Sequence, residues 1–165
     1  MAGDYSSGRL VLQVPHFLQT DPQGCNSCVP ATVKMVLAFQ GMAVDEEKLC
    51  ALLETKPRGT PALNVLLLND RLPQCMVKAE PASVDDLRRS LQRGIPPISF
   101  VRTSLLPYWQ GKDVMHALVV VEIQEGSVFV NDPRYSTAPL SIALADFLAA
   151  WDVFDNFTAF VQVIS

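Results

Sequence analysis

No stretch of this sequence approaches the roughly 20 continuous apolar residues that a membrane-spanning helix requires. The longest apolar runs, HALVVVEI and ALNVLLLN, are the size of one strand or one helix. The N-terminus, MAGDYSSGRL, lacks the basic-then-apolar pattern of a secretory signal. Basic blocks are missing too. Thirteen Lys and Arg against 17 Asp and Glu leave a net charge of −4, which argues against nucleic acid as the main partner. Cysteine is sparse, with four in 165 residues, far below the density of a disulfide scaffold. Repeats and low-complexity segments are absent. These absences exclude membrane, nucleic-acid and disulfide-framework classes. They leave a cytoplasmic protein with reduced thiols as the expectation. With 49% apolar residues, the chain is long enough to bury a full core as a single domain over 1–165.

What is present divides at about residue 94. RLVLQV (9–14) predicts a short strand. The polar turn TDPQGCNS then leads into VPATVKMVLAFQG, where Pro30 suits a first helical turn and Gly41 a helix stop. VDEEKLCALLE predicts a second helix with Asp45 as N-cap. GTPALNVLLLNDRL repeats the pattern, with Thr60 as cap and Pro61 in the first turn. CMVKAE reads as a strand. SVDDLRRSLQRG reads as an amphipathic helix opened by a capping box of Ser83 and Asp86 and closed by Gly94. Beyond it, PISFVR, HALVVVEI, SVFVND and FTAFVQVI are β-rich, interrupted by the helical LADFLAAW. A helical half over 15–94 and a β-rich half over 95–165 predict an α+β fold with helices packed on an antiparallel sheet.

The segment QGCNSCVPATVKMVLAFQG carries a CxxC pair, Cys25 and Cys28, with three chemical readings. A zinc site needs about four ligands. The remaining candidates, Cys50, Cys75, His16 and His116, form no second closely spaced pair. Cys50 falls on the apolar stripe of its helix with Leu49, Leu52 and Leu53, where a cysteine acts as a small buried hydrophobe. A thioredoxin-like redox pair would follow a buried strand, but the residues ahead of Cys25 are polar and turn-forming. In the third reading Cys28 works alone. It would open a helix whose unpaired N–H groups favour the thiolate and could hold an oxyanion.

A nucleophile so placed needs a base and a group that orients the base. The chain has two histidines. His116 opens one predicted strand, and Asp132 closes the next across the turn QEGS. A hairpin centred near Glu125 sets position 116 opposite about 134, with Asp132 a diagonal neighbour at roughly 7–8 Å. His116 could then take the Cys28 proton while Asp132 holds the ring in its working tautomer. His16, near a turn, has no evident partner. The loop TSLLPYWQGKDVM ahead of His116 could wall a substrate cleft with its aromatics, or Trp109 could pin it to the core.

These segments, in this order, resemble the bacteriocin-processing, double-glycine leader peptidases and their stand-alone bacterial relatives, a papain-like cysteine peptidase family. CVPATVKMVLAFQG resembles the nucleophile motif. HALVVVEI followed by VFVNDP resembles the histidine strand and its Asp-Pro turn. VPHFLQ resembles the entry segment, and ADFLAAWDVFDNFTAFV the tail of the stand-alone branch. The resemblance implies a papain-like α+β fold, Cys28 as nucleophile, His116 as general base and acid, and Asp132 as orienter. It also implies an oxyanion donor in Gln19, with Gln23 a competing candidate. Val29 stands where the family commonly has Gly, which would narrow substrate approach.

The implied activity is hydrolysis of a peptide or isopeptide bond through a thioester, with a peptide or protein as partner and no metal or organic cofactor. A catalytically silent peptide-binding module and a CxxC redox protein are the alternatives.

Overall fold

The computed structural model describes residues 12–164. Its centre is a six-stranded antiparallel sheet in the order β1-β6-β2-β3-β4-β5. The strands are β1 (Cys75–Pro81), β2 (Ile98–Arg102), β3 (Met115–Gln124), β4 (Ser127–Asn131), β5 (Leu140–Ala143) and β6 (Phe157–Val163). The longest, β3, shows why the sheet is covered on both sides. Successive side chains alternate between faces. Ala117, Val119 and Val121 enter one core, and Leu118 and Val120 enter the other.

Helix α1 (Cys28–Phe39) fills the first core, packed on β3 and β6. Ten of its twelve residues are buried, as expected of a helix that is apolar nearly all round. Helix α2 (Glu46–Leu52) packs beside it, with Asp45 at its N-cap. The other face is covered by α4 (Val84–Gln92) and α5 (Leu144–Asp152), through Leu87, Leu91, Phe147 and Trp151. The expected capping box opens α4, with Ser83 Oγ accepting from Asp86 N–H and the Asp86 carboxylate accepting from Ser83 N–H.

Three local expectations change. The helix expected after Thr60 begins as a 3-10 turn at Ala62–Leu67 with Pro61 at its N-cap, and continues into the short α3 (Leu68–Arg71). The Thr60 hydroxyl pairs with Thr55 Oγ1 at 2.7 Å, and the turn has no side-chain cap. Of the expected strand over 9–14, residues 9–11 lie outside the described residues. Residues 12–14 form no strand, although Leu12 N–H donates to the Val121 carbonyl. The edge strand β5 was not anticipated; its four residues are too few for alternation to show. Among the described residues no helix is long and apolar enough to cross a membrane.

Candidate active site

Cys28 is the first residue of α1, with Ser27 at the N-cap. The buried helix fixes its position on the sheet, and its thiol is hydrogen-bonded to the His116 ring. His116 sits at the start of β3, opposite Val101 of β2. The β3–β4 hairpin has the expected register at its far end, where Val119 pairs with Asn131. A bulge between Val120 and Glu122 shifts the pairing by one residue. Such a shift reverses which faces meet. Asp132 follows β4 directly, and its Oδ1 lies 2.7 Å from His116 Nε2. That leaves Nδ1 as the ring nitrogen for the thiol.

The Asp132 carboxylate is fully buried and fully satisfied. Oδ1 also accepts from Arg134 N–H at 2.8 Å; Oδ2 accepts from Tyr108 Oη at 2.6 Å and Trp109 Nε1 at 3.1 Å. Burial alone would raise its pKa, but the His116 contact and these donors hold it below the usual carboxylate value. Burial likewise opposes charge on His116. The hydrogen bonds to Asp132 and to Cys28 outweigh it and bring the imidazole up to about 9. Burial and the adjacent Asp132 charge keep the Tyr108 phenol protonated and donating.

Trp109 is buried and meets the His116 ring edge-on, with centroids 4.8 Å apart. The loop aromatics therefore cover the His–Asp pair from the inside. Trp109 does not wall a cleft, and the core-pinned alternative is the one observed. His16, without an evident partner in the sequence, bonds through Nε2 to the Asp132 backbone carbonyl at 2.8 Å. Asn131 Nδ2 donates to Val14 O, and Gln19 N–H donates to Pro133 O. These bonds stitch the entry segment to the end of β4 and carry Gln19 to the site.

Gln19 Nε2 donates to Asp21 Oδ1 at 2.8 Å and to Asn26 Oδ1 at 3.1 Å; its Oε1 is buried without a partner. Cys28 N–H also points at Asn26 Oδ1, at 3.4 Å. The Gln19 side-chain amide and the Cys28 N–H thus converge on one oxygen. Gln23 is exposed, in a left-handed turn conformation, and lines a pocket with Cys25 and Cys50. Sequence reading did not single out Asn26, Tyr108 or Glu46. Asn26 carried a signal as a turn residue two positions before the helix, and Tyr108 only as one of the loop aromatics ahead of His116.

The two thiols of the CxxC pair have different neighbours. The Cys28 thiol faces His116, while Cys25 Sγ lies 3.8 Å from Cys50 Sγ. Cys50 is half-buried against that thiol, not the buried hydrophobe expected from its helical stripe.

The fold is shared with solved peptidase structures. A Bacillus anthracis protein assigned as a C39-like peptidase superposes with a TM-score of 0.75 at 17% identity, over 93% of this chain and 97% of that one. The peptidase domain of Streptococcus ComA, a bifunctional ABC transporter of a quorum-sensing pathway, gives 0.72 at 21% identity over 91% and 98%. A double-glycine motif protease from an AMS/PCAT transporter, solved with a leader peptide, gives 0.68 at 19% identity over 93% and 94%. No curated protein sequence matches significantly. The family model described as Peptidase C39-like matches residues 11–158, nearly the whole chain, and the chain belongs to that family.

Proposed function

We propose that this protein is a cysteine peptidase that cleaves a peptide or isopeptide bond through Cys28, His116 and Asp132. The observation that carries the reading is the buried His116 ring, hydrogen-bonded to the helix-opening thiol on one side and to a fully satisfied carboxylate on the other. A raised imidazole pKa favours the thiolate–imidazolium pair, the form in which a cysteine is nucleophilic.

The thiolate attacks the substrate carbonyl. The new oxyanion takes the place of Asn26 Oδ1, between the Cys28 N–H and Gln19 Nε2. His116 then passes its proton to the leaving amine, and a thioester forms. Water, deprotonated by His116, attacks the thioester and releases the acid product. Asp132 keeps the ring oriented throughout. The bound leader peptide of the transporter protease supports a peptide as the substrate class. An apolar cavity of about 370 Å³, lined by Leu63, Phe100, Phe154 and Phe157, borders Met115, the neighbour of His116. It suits an apolar substrate side chain.

The test is alkylation by a thiol-directed electrophile near neutral pH, followed site by site by mass spectrometry. Cys28 should react well ahead of Cys50 and Cys75, and His116→Ala should abolish that lead. Peptide turnover should survive Cys25→Ser under reducing conditions, and should fall as pH rises past about 9, where His116 loses its proton. Labelling of Cys28 no faster than Cys50 would overturn the proposal.

A further inference from the structure

The turn that leads into α1 holds a second thiol that the proposed reaction does not use. Cys25 Sγ lies 3.8 Å from Cys50 Sγ, on a different element 25 positions away. Both residues are half-buried free cysteines. They line an open pocket of about 340 Å³ with Gln23, Glu47 and Thr55, so a small molecule can reach them. Sequence spacing favours Cys28 as the partner of Cys25, but the Cys28 thiol is engaged by His116. Closing 3.8 Å to the ~2.05 Å of a disulfide asks for a shift of under about 2 Å. The backbone beside Cys25 can supply it: Gln23 and Gly24 sit at φ of 56° and 78° in an exposed turn. Cys28, locked in a buried helix, need not move.

We propose that Cys25 and Cys50 form a thiol–disulfide exchange site for small disulfides of the glutathione class. Exchange closes a Cys25–Cys50 bond that ties the turn to α2 and leaves Cys28 outside it. The Cys25 thiolate attacks one sulfur of the small disulfide and expels one small thiolate. Cys50 then gives its proton to solvent, and its thiolate attacks the Cys25 sulfur of the mixed disulfide. The second small thiolate leaves. Two protein thiols are oxidised by two electrons, and one small disulfide is reduced to two thiols.

The order follows from the surroundings of Cys50. Burial, then the contact with Cys25, then the charge of Glu46 push its thiol up to about 12, against a smaller opposing effect of Thr55. Cys25 therefore attacks first. Capping Cys25 removes its share of that upward push and eases the second step. The closed loop would contain all of α1, and a bond across it restricts the unfolded chain.

The test incubates the native, reduced protein with oxidised glutathione, quenches in acid, alkylates free thiols and maps peptides. A thermal melt is run on the same samples. The expected result is a linked Cys25–Cys50 peptide, with Cys28 unlinked, and a melting temperature several degrees above that of the reduced protein. Cys50→Ser should lose that rise and accumulate glutathione on Cys25. A Cys25–Cys28 link would overturn the proposal, as would wild-type protein that retains glutathione on Cys25 as fully as Cys50→Ser does. Neither readout depends on peptide cleavage, so failure here leaves the peptidase proposal standing.

Discussion

Glu46 is a carboxylate placed almost wholly out of solvent, and it organises the turn before the nucleophile. Its Oε2 accepts from Thr20 N–H at 2.8 Å, Thr20 Oγ1 at 3.0 Å and Ser27 Oγ at 2.6 Å. Ser27 in turn accepts from Asp21 N–H and donates its own N–H to Asp21 Oδ1. Asp21 also accepts from Gln19. One carboxylate oxygen thus holds both ends of the segment that presents Gln19, Asn26 and Cys28. Glu46→Ala removes the acceptor of three donors, leaving the fully buried Ser27 hydroxyl only its longer 3.2 Å bond to Asp21 Oδ1, and should cost about 1–3 kcal/mol in urea unfolding, the range for a buried polar group that loses its partner. Glu46→Gln keeps an accepting oxygen and puts its amide where Oε1 already lacks a partner. It should cost clearly less. Equal losses for the two variants would remove Glu46 from this role.

At the scale of elements, local sequence and long-range packing share control. Helix α4 is locally determined: its capping box is written in Ser83 and Asp86, and the structure contains both bonds. Ser83→Ala should lower stability by about 1 kcal/mol, read as a shift in denaturant midpoint at unchanged slope. The hairpin that carries His116 and Asp132 was legible from its turn and its two apolar runs. Its bulge was not. VVVEI reads the same with or without a shifted residue, and the shift is tied to the Leu12 N–H bonding the Val121 carbonyl from far along the chain. At the free edge of the sheet, β1 is covered by a side chain. Asn69 Nδ2 donates to the Val77 carbonyl, and Asn69 Oδ1 accepts from Val77 N–H, which occupies groups that an unprotected edge would offer to another strand.

Across the whole molecule, the buried His–Asp pair links the candidate site to folding. His116 has a folded-state pKa raised to about 9 from an ordinary 6.5. Its contribution to stability is therefore complete below pH 6.5 and is lost as pH rises through about 9. Asp132 is depressed below 3.8, so its contribution is present above that value and is lost as pH falls. The stability difference between wild type and His116→Gln should shrink between pH 6.5 and 9 by on the order of 2–3 kcal/mol. Urea titrations of both proteins at a series of pH values give that difference. A gap that is flat or widens over this range would mean that His116 is not held as the protonated partner of Asp132.

The sequence by itself determined the α+β class, most helix limits, the helix-opening position of Cys28, and the placing of His116 on one strand of a hairpin with Asp132 at the end of the other. Those features rest on local periodicity, capping and turn chemistry, which act over a few residues. Only the tertiary structure decided which groups touch. Tyr108 and Trp109 close over Asp132, His16 grips its carbonyl, Gln19 reaches the thiol side of the turn, and Cys25 turns from Cys28 to Cys50. Apart from the Gln19 bond, which closes a turn of seven residues, each of these contacts joins distinct segments of the chain. Burial of two apolar sheet faces sets those segments' relative positions, and no local pattern encodes where the polar groups carried along with them will meet.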